Sequence, residues 1–105
     1  MAADEARIHP RLRLSVLADV IGEEVLLAQP LEDISLGGCR FGGPAWEREG
    51  GEIQLVLSFP ASGATVSLEG TIIRASELDM GVRFHAITDE QKWALRKHIR
   101  EAQAH

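Results

Sequence analysis

The fold is decided by residues 53–72, which read IQLVLSFPASGATVSLEGTI. Apolar residues occupy every second position before the segment 60–63, and the same spacing returns after it, with one glycine among the apolar positions. An alternation of period two predicts β-strands with one buried face. Because the proline, serine and glycine between the two runs favour a turn, we predict two neighbouring antiparallel strands.

The same alternation extends outward on both sides of this pair. We predict further strands at residues 12–20, about 24–31, 39–41 and 80–86. Residues 33–38 are predicted to form a loop, and Pro30 interrupts the strand before it because proline cannot donate to a ladder. Short strands separated by turns favour a small barrel, which leaves no exposed sheet edge. The predicted fold class is all-β, a six-stranded antiparallel barrel of split or Greek-key type with one C-terminal α-helix.

The hydrophobic period changes to that of a helix near the C-terminus. Thr88 and Gln91 have the spacing of a capping box, in which each side chain bonds the backbone N–H of the other residue. Asp89 and Glu90 follow in the first turn, where the helix dipole favours negative charge. We predict a helix over about residues 89–103 that covers one open side or end of the barrel.

The length and the N-terminal segment define the domain organisation. A chain of 105 residues is typical of one domain. Residues 1–11 are polar, and Pro10 disfavours a helix at the preceding residue, so we predict a flexible N-terminal arm followed by the barrel and helix over residues 12–105. The first five residues have no features of a signal peptide, and no apolar run is long enough to span a bilayer. We therefore expect a cytoplasmic protein without membrane insertion.

Composition and residue spacing argue against several classes of function. The net charge of −5 is unlike that of a general nucleic-acid binder, so we expect no DNA or RNA partner. The four histidines are scattered and do not have the spacing of a metal site, and we expect neither a metal nor a cofactor. The single cysteine, Cys39, cannot form an internal disulfide and is interpreted as a buried structural thiol. No nucleophile and base can be paired from the sequence, so we expect no enzymatic activity.

The first of two functional motifs is Arg7-Ile8-His9-Pro10-Arg11, an R-x-x-x-R pair. A guanidinium is always charged and can bind a phosphate through two parallel hydrogen bonds. It can also bind the O6 and N7 atoms of guanine. Taken alone, two arginines at this spacing often arise by chance and are more typical of a solvated N-terminus.

The second motif is Asp33-Ile34-Ser35-Leu36-Gly37-Gly38, or D-x-S-x-x-G. In an extended segment Asp33 and Ser35 point to one side and Ile34 to the other. A carboxylate can accept hydrogen bonds from guanine N1–H and N2–H, and Ser35 can add a contact or orient Asp33. Gly37 and Gly38 allow a positive φ and a close approach of the backbone. The alternative is a purely local turn, which uses the same residue types.

The order and separation of the two motifs resemble those of the PilZ domain family. The resemblance extends from Arg7 to about Ile99 and includes the segments 12–20, 38–41 and 80–84. It implies a six-stranded antiparallel barrel that binds the second messenger cyclic di-GMP.

The resemblance also implies a role for each motif. Arg7 and Arg11 would hold the phosphates and guanine edges of cyclic di-GMP, and Asp33, Ser35 and Gly38 would line the base pocket. We expect a receptor in which the ligand orders the N-terminal arm and so signals to an effector protein that the sequence does not identify. The alternative is an adaptor of the same fold that ignores nucleotides and acts in motility or pilus assembly. Lys92, Arg96 and Arg100 line one face of the predicted helix, which is either solvated or a docking face.

Overall fold

The computed structural model describes residues 16–103, and most of these residues belong to one antiparallel sheet. Its strands are β1 (Leu17–Ile21), β2 (Val25–Pro30), β3 (Asp33–Ile34), β4 (Gly38–Gly42), β5 (Glu52–Phe59), β6 (Ala64–Ala75) and β7 (Asp79–His85). Within the sheet their order is β2-β1-β5-β6-β7-β4-β3. A helix, α1 (Asp89–Gln103), follows where the sequence places it.

The hairpin of β5 and β6 forms the centre of the sheet, as its alternation predicts. The register runs from Glu52 opposite Thr71 to Phe59 opposite Ala64 without a shift. The turn closes when the backbone N–H of Gly63 donates to the carbonyl of Phe59 at 2.8 Å. Gly63 has a φ of 75°, a left-handed conformation that favours glycine.

The apolar face of the sheet and one face of α1 form the core. The buried apolar residues are Val16, Ala18, Val20, Leu31, Ile34, Cys39, Phe41, Ile53, Leu55, Leu57, Phe59, Val66, Leu68, Ile72, Met80, Val82, Phe84 and Leu95. Burying one large apolar side chain stabilises a protein by roughly 1.5–3 kcal/mol. Leu95 is the fully buried residue that the helix contributes, so α1 is part of the core rather than an appendage.

Polar contacts fix the position of α1 over the β5–β6 hairpin. The capping box is present, because the N–H of Thr88 donates to Gln91 Oε1 at 2.8 Å and the N–H of Gln91 donates to Thr88 Oγ1 at 3.0 Å. The Gln91 amide also donates to the carbonyl of Ser67 in β6 at 2.8 Å. Farther along the helix, the ring of His98 packs 5.4 Å from that of Phe59. The helix therefore covers one end of the sheet.

The predicted number of six strands was wrong, because part of the expected loop is a strand. Asp33 and Ile34 pair with Arg40 and Cys39 of β4. A strand of two residues is too short to produce a period-two signal, and the glycines that follow it favour a loop. Seven strands are thus found within residues 16–103.

The predicted closure into a barrel was also wrong. The sheet has two edges, β2 and β3, although only Leu31 and Glu32 separate these strands in the chain. The N–H of Leu31 donates to the carbonyl of Val16 at 3.1 Å, whereas the N–H of Glu32 donates to the carbonyl of Arg40 at 2.8 Å. Leu31 therefore bonds to the residue that precedes β1, and Glu32 bonds to β4. Neither bond pairs the edge strand β2 with the edge strand β3.

The physical reason for the open sheet lies in the two edge strands. Pro30 has no N–H to donate, and β3 offers only two residues for pairing. Strand β2 is also irregular, because Ala28 has a φ of 53° and its N–H donates to Asp19 Oδ1 at 2.8 Å. Two such edges do not present matching rows of donors and acceptors.

The predicted arm at residues 1–11, with Arg7 and Arg11, lies outside the described residues and stays a prediction. Within residues 16–103 no helix is both long and apolar enough to cross a membrane.

Candidate functional site

Strand β3 gives Asp33 and Ser35 a common orientation. Ile34 is buried in the core, while Asp33 and Ser35 on either side of it are exposed. This arrangement is the one expected from an extended segment, in which successive side chains alternate between faces. The carboxylate and the hydroxyl are therefore presented together at the edge of the sheet.

Ser35 also organises the turn between β3 and β4. Its N–H donates to the carbonyl of Gly38 at 2.8 Å, and its hydroxyl accepts from the N–H of Gly37 at 3.2 Å. These are the bonds of the local turn that the sequence allowed as an alternative reading. The hydroxyl also donates to the carbonyl of Gly38 at 3.4 Å. Ser35 as a residue is exposed, so the turn and a ligand contact are compatible.

Gly37 and Gly38 have different surroundings. A Cβ on Gly38 would overlap the carbonyl oxygen of Val82, because β4 and β7 approach closely at this point. A Cβ on Gly37 would meet nothing within 4 Å. Neither glycine has a positive φ, although the sequence allowed one. Gly38 is thus needed for strand packing, whereas Gly37 leaves open space beside Ser35.

Arg40 is the residue of this site that the sequence analysis missed. Its guanidinium lies 3.0 Å from Glu32 Oε1, 3.4 Å from Asp33 Oδ2 and 3.5 Å from Asp79 Oδ2. One cation thus lies among three carboxylates, and the Asp33 side chain keeps 55% of its surface exposed. The pairing of Asp33 with Arg40 depends on β3, so reading this segment as a loop concealed it.

Asp79 anchors the far side of this network. Its carboxylate is buried and accepts from Arg74 Nε at 2.6 Å and from the Ser76 hydroxyl at 3.1 Å. The hydrogen bond from Arg74 is the main reason that the pKa of Asp79 lies below its usual range; Ser76 and the charge of Arg40 act in the same direction. Asp79 is therefore ionised at neutral pH and pairs with Arg40 at 3.5 Å.

The thiol of Cys39 lies behind this network, on the core side of β4. Burial raises the pKa of Cys39 to about 12, and the charge of Asp33 adds to the effect.

Only the thiolate is nucleophilic, and at pH 8 roughly one Cys39 in ten thousand would be ionised. We expect iodoacetamide to alkylate the native protein at least about a hundredfold more slowly than the urea-unfolded protein. Mass spectrometry of timed samples measures both rates, and similar rates would contradict a buried, neutral thiol.

Within residues 16–103, no group of three or more histidine, cysteine, aspartate or glutamate side chains has an arrangement that could hold a metal ion. The described part of the site consists of the exposed pair Asp33 and Ser35, the open position at Gly37, and the Arg40 network beneath them. Such a site can accept two hydrogen bonds from one edge of a ligand, but it offers few free cations for an anionic one.

Position 16 connects this site to the segment that carries Arg7 and Arg11. The carbonyl of Val16 accepts from the N–H of Leu31, two residues before Asp33. Arg11 lies five positions before Val16, and an extended chain spans at most about 3.6 Å per residue, or roughly 18 Å over that separation. The covalent chain therefore allows Arg11 to reach the exposed side of β3.

Comparison with known proteins gives a family match and a structural match. The family model described as the PilZ domain matches residues 5–101, nearly the whole chain. Among solved structures, the chain is similar to the crystal structure of the PilZ domain of CeSA from a cellulose-synthesizing bacterium, with a TM-score of 0.62 and 16% sequence identity. That match covers 85% of this chain and 91% of the other, and at this identity it shows the fold alone. The comparison with curated proteins gave no match.

Proposed function

The chain belongs to the PilZ domain family, and on that premise we propose that it is a receptor for cyclic di-GMP. PilZ domains are generally receptors for this ligand rather than enzymes. The observation that carries the proposal for this chain is the common orientation of Asp33 and Ser35 beside the open position at Gly37. We assign Asp33 to guanine N1–H and N2–H, and Ser35 to a second contact.

The ion pair between Asp33 and Arg40 is compatible with this assignment. The described contact uses only Oδ2 of Asp33, at 3.4 Å from the guanidinium. An ionised carboxylate has about four acceptor positions on its two oxygens. Arg40 thus orients the Asp33 carboxylate and leaves acceptor positions for a guanine.

The phosphates of the ligand are assigned to Arg7 and Arg11. Arg40 and Arg74, the cations of the network beneath the site, are already paired with carboxylates, so a dianionic ligand needs further positive charge. The bond between Val16 and Leu31 supports this assignment, since it holds Val16, five positions after Arg11 in the chain, beside a residue two positions before Asp33. Binding would draw residues 1–11 onto this edge and change the surface that an effector protein meets.

A titration with cyclic di-GMP, GTP and cyclic di-AMP tests the proposal. A ligand at a hundred times its dissociation constant stabilises the native state by about 2.7 kcal/mol. For a domain of this size, that free energy raises the melting temperature by roughly 10 °C or more. We expect this rise with cyclic di-GMP and little change with the other two nucleotides. The absence of a shift at millimolar cyclic di-GMP would refute the receptor function and favour the nucleotide-independent adaptor.

Substitution of Asp33 by asparagine tests the guanine contact. Asp33→Asn removes one of the two acceptors that guanine N1–H and N2–H require, so we expect cyclic di-GMP affinity to fall by about tenfold or more. The melting temperature of the free protein should change little, because an exposed ion pair contributes at most about 1 kcal/mol. Isothermal titration calorimetry and thermal unfolding measure the two quantities.

Glu32→Gln is the matched control for that variant. Glu32 is adjacent in sequence, carries the same charge and also pairs with Arg40, at 3.0 Å. We expect the Glu32→Gln variant to retain most of the natural chain's affinity for cyclic di-GMP. Equal losses in the two variants would mean that general charge, and not a guanine contact, explains the effect.

A further inference from the structure

The exposed face of α1 carries a cluster that the proposed ligand site does not use. Its members, called here the basic face, are Lys92, Trp93, Arg96, Lys97 and Arg100. Spacings of one, four, five and eight residues put these side chains on one side of a helix. Leu95, on the other side, is fully buried. With a rise of 1.5 Å per residue, the basic face is about 12 Å long.

The positive charges of the basic face are not neutralised within the described part of the chain. None of its four cations forms an ion pair with a carboxylate of residues 16–103, whereas Arg40, Arg48 and Arg74 each do. The one ion pair described within the helix joins His98 to Glu101, at 3.2 Å. Cations four residues apart on a helix repel each other. A negatively charged partner would relieve this repulsion.

Trp93 is the apolar centre of the basic face. Its side chain is 61% exposed, and Lys97 Nζ lies 5.4 Å from the centre of the ring. Tryptophan and arginine are the residue types most enriched among those that dominate protein–protein binding energies. A large aromatic surrounded by cations matches an acidic surface with an apolar residue at its centre.

We propose that the basic face is a docking surface for an acidic segment of a partner protein. A lipid surface fits less well, because a membrane-bound amphipathic helix inserts a broad apolar face, and the apolar face of α1 is already packed in the core. A nucleic acid fits less well because the chain has a net charge of −5 and general nucleic-acid binders are usually basic. The proposal does not depend on cyclic di-GMP.

The test uses fluorescence anisotropy with the full chain and a labelled peptide of eight glutamates with a leucine–phenylalanine pair at its centre. We expect saturable binding that weakens as salt is added. Arg96→Glu should weaken binding about fivefold or more, because it replaces an attraction by a repulsion. The control is Arg48→Glu, which changes the net charge by the same amount at another exposed site. That control should bind the peptide nearly as well as the natural chain.

A second pair of variants tests the aromatic contribution. Trp93→Ala should weaken binding of the same peptide about fivefold or more, whereas Leu78→Ala should not, although Leu78 is 77% exposed. Thermal unfolding of all four variants reports whether they remain folded. Equal weakening by Arg96→Glu and Arg48→Glu would overturn the proposal, since net charge would then explain binding. Binding to phosphatidylserine vesicles without binding to the peptide would also overturn it and assign the face to a lipid surface.

Discussion

Replacing Arg7 and Arg11 together by alanine is expected to weaken cyclic di-GMP binding by about a hundredfold or more. A hydrogen bond to a charged group contributes roughly 1.5–3 kcal/mol, and 1.4 kcal/mol corresponds to a factor of ten in affinity. Arg40 and Arg74 are already paired with carboxylates, so the network beneath the site supplies no free cation for the phosphates. Calorimetric titration of the double variant measures the loss.

Two controls separate the arginine contacts from overall charge. The double variant Arg48→Ala with Arg96→Ala removes the same charge from exposed sites elsewhere and should bind cyclic di-GMP nearly normally. Lysine at positions 7 and 11 keeps the charge but lacks the planar fork that binds a phosphate through two hydrogen bonds. We expect an intermediate affinity for that variant. Unchanged affinity in the alanine variant of Arg7 and Arg11 would falsify their assigned role.

Local patterns in the sequence predicted the elements whose signals are local. The predicted β5–β6 hairpin is confirmed. It could be predicted because eight consecutive cross-strand pairs repeat one alternation, and Gly63 closes the turn. The capping box of α1 is also confirmed. It could be predicted because Thr88 and Gln91 are only three residues apart. Strand β3 was missed because two residues carry no period. Its existence depends on pairing with β4, which a local pattern does not reveal.

The predicted barrel illustrates a different limit. Short strands with turns usually close, because closure removes unpaired edges. Here the outcome depends on backbone details of the two edge strands: the proline at the end of β2, the left-handed Ala28, and the two-residue length of β3. None of these details changes the alternation that indicates a strand, so the sequence predicted the strands better than their closure.

The candidate site shows the same division. The common orientation of Asp33 and Ser35 follows from the geometry of an extended chain and could be predicted. The network of Arg40 with Glu32, Asp33 and Asp79 could not, because Asp79 is far from the others in sequence and reaches them only through the β4–β7 pairing. The role of Arg7 and Arg11 stays a prediction.

Substitution of Gly38 by alanine is expected to destabilise the free protein by roughly 2–4 kcal/mol. The added Cβ would overlap the carbonyl oxygen of Val82, which is part of the backbone of β7 and is held by the pairing of β7 with β4 and β6. Relief of the overlap requires the strands to separate. For a domain of this size, the melting temperature should fall by roughly 10 °C or more. Thermal or urea unfolding without ligand measures the effect.

Gly37→Ala distinguishes the two roles that a glycine can have in the D-x-S-x-x-G motif. A Cβ on Gly37 meets no atom within 4 Å, and its φ is not positive, so we expect a change in stability within about 0.5 kcal/mol. If the ligand passes close to the backbone here, Gly37→Ala should lower cyclic di-GMP affinity without unfolding the protein. A stable Gly38→Ala protein with reduced affinity would reverse this assignment, because Gly38 would then contact the ligand instead of permitting the close approach of β4 to β7.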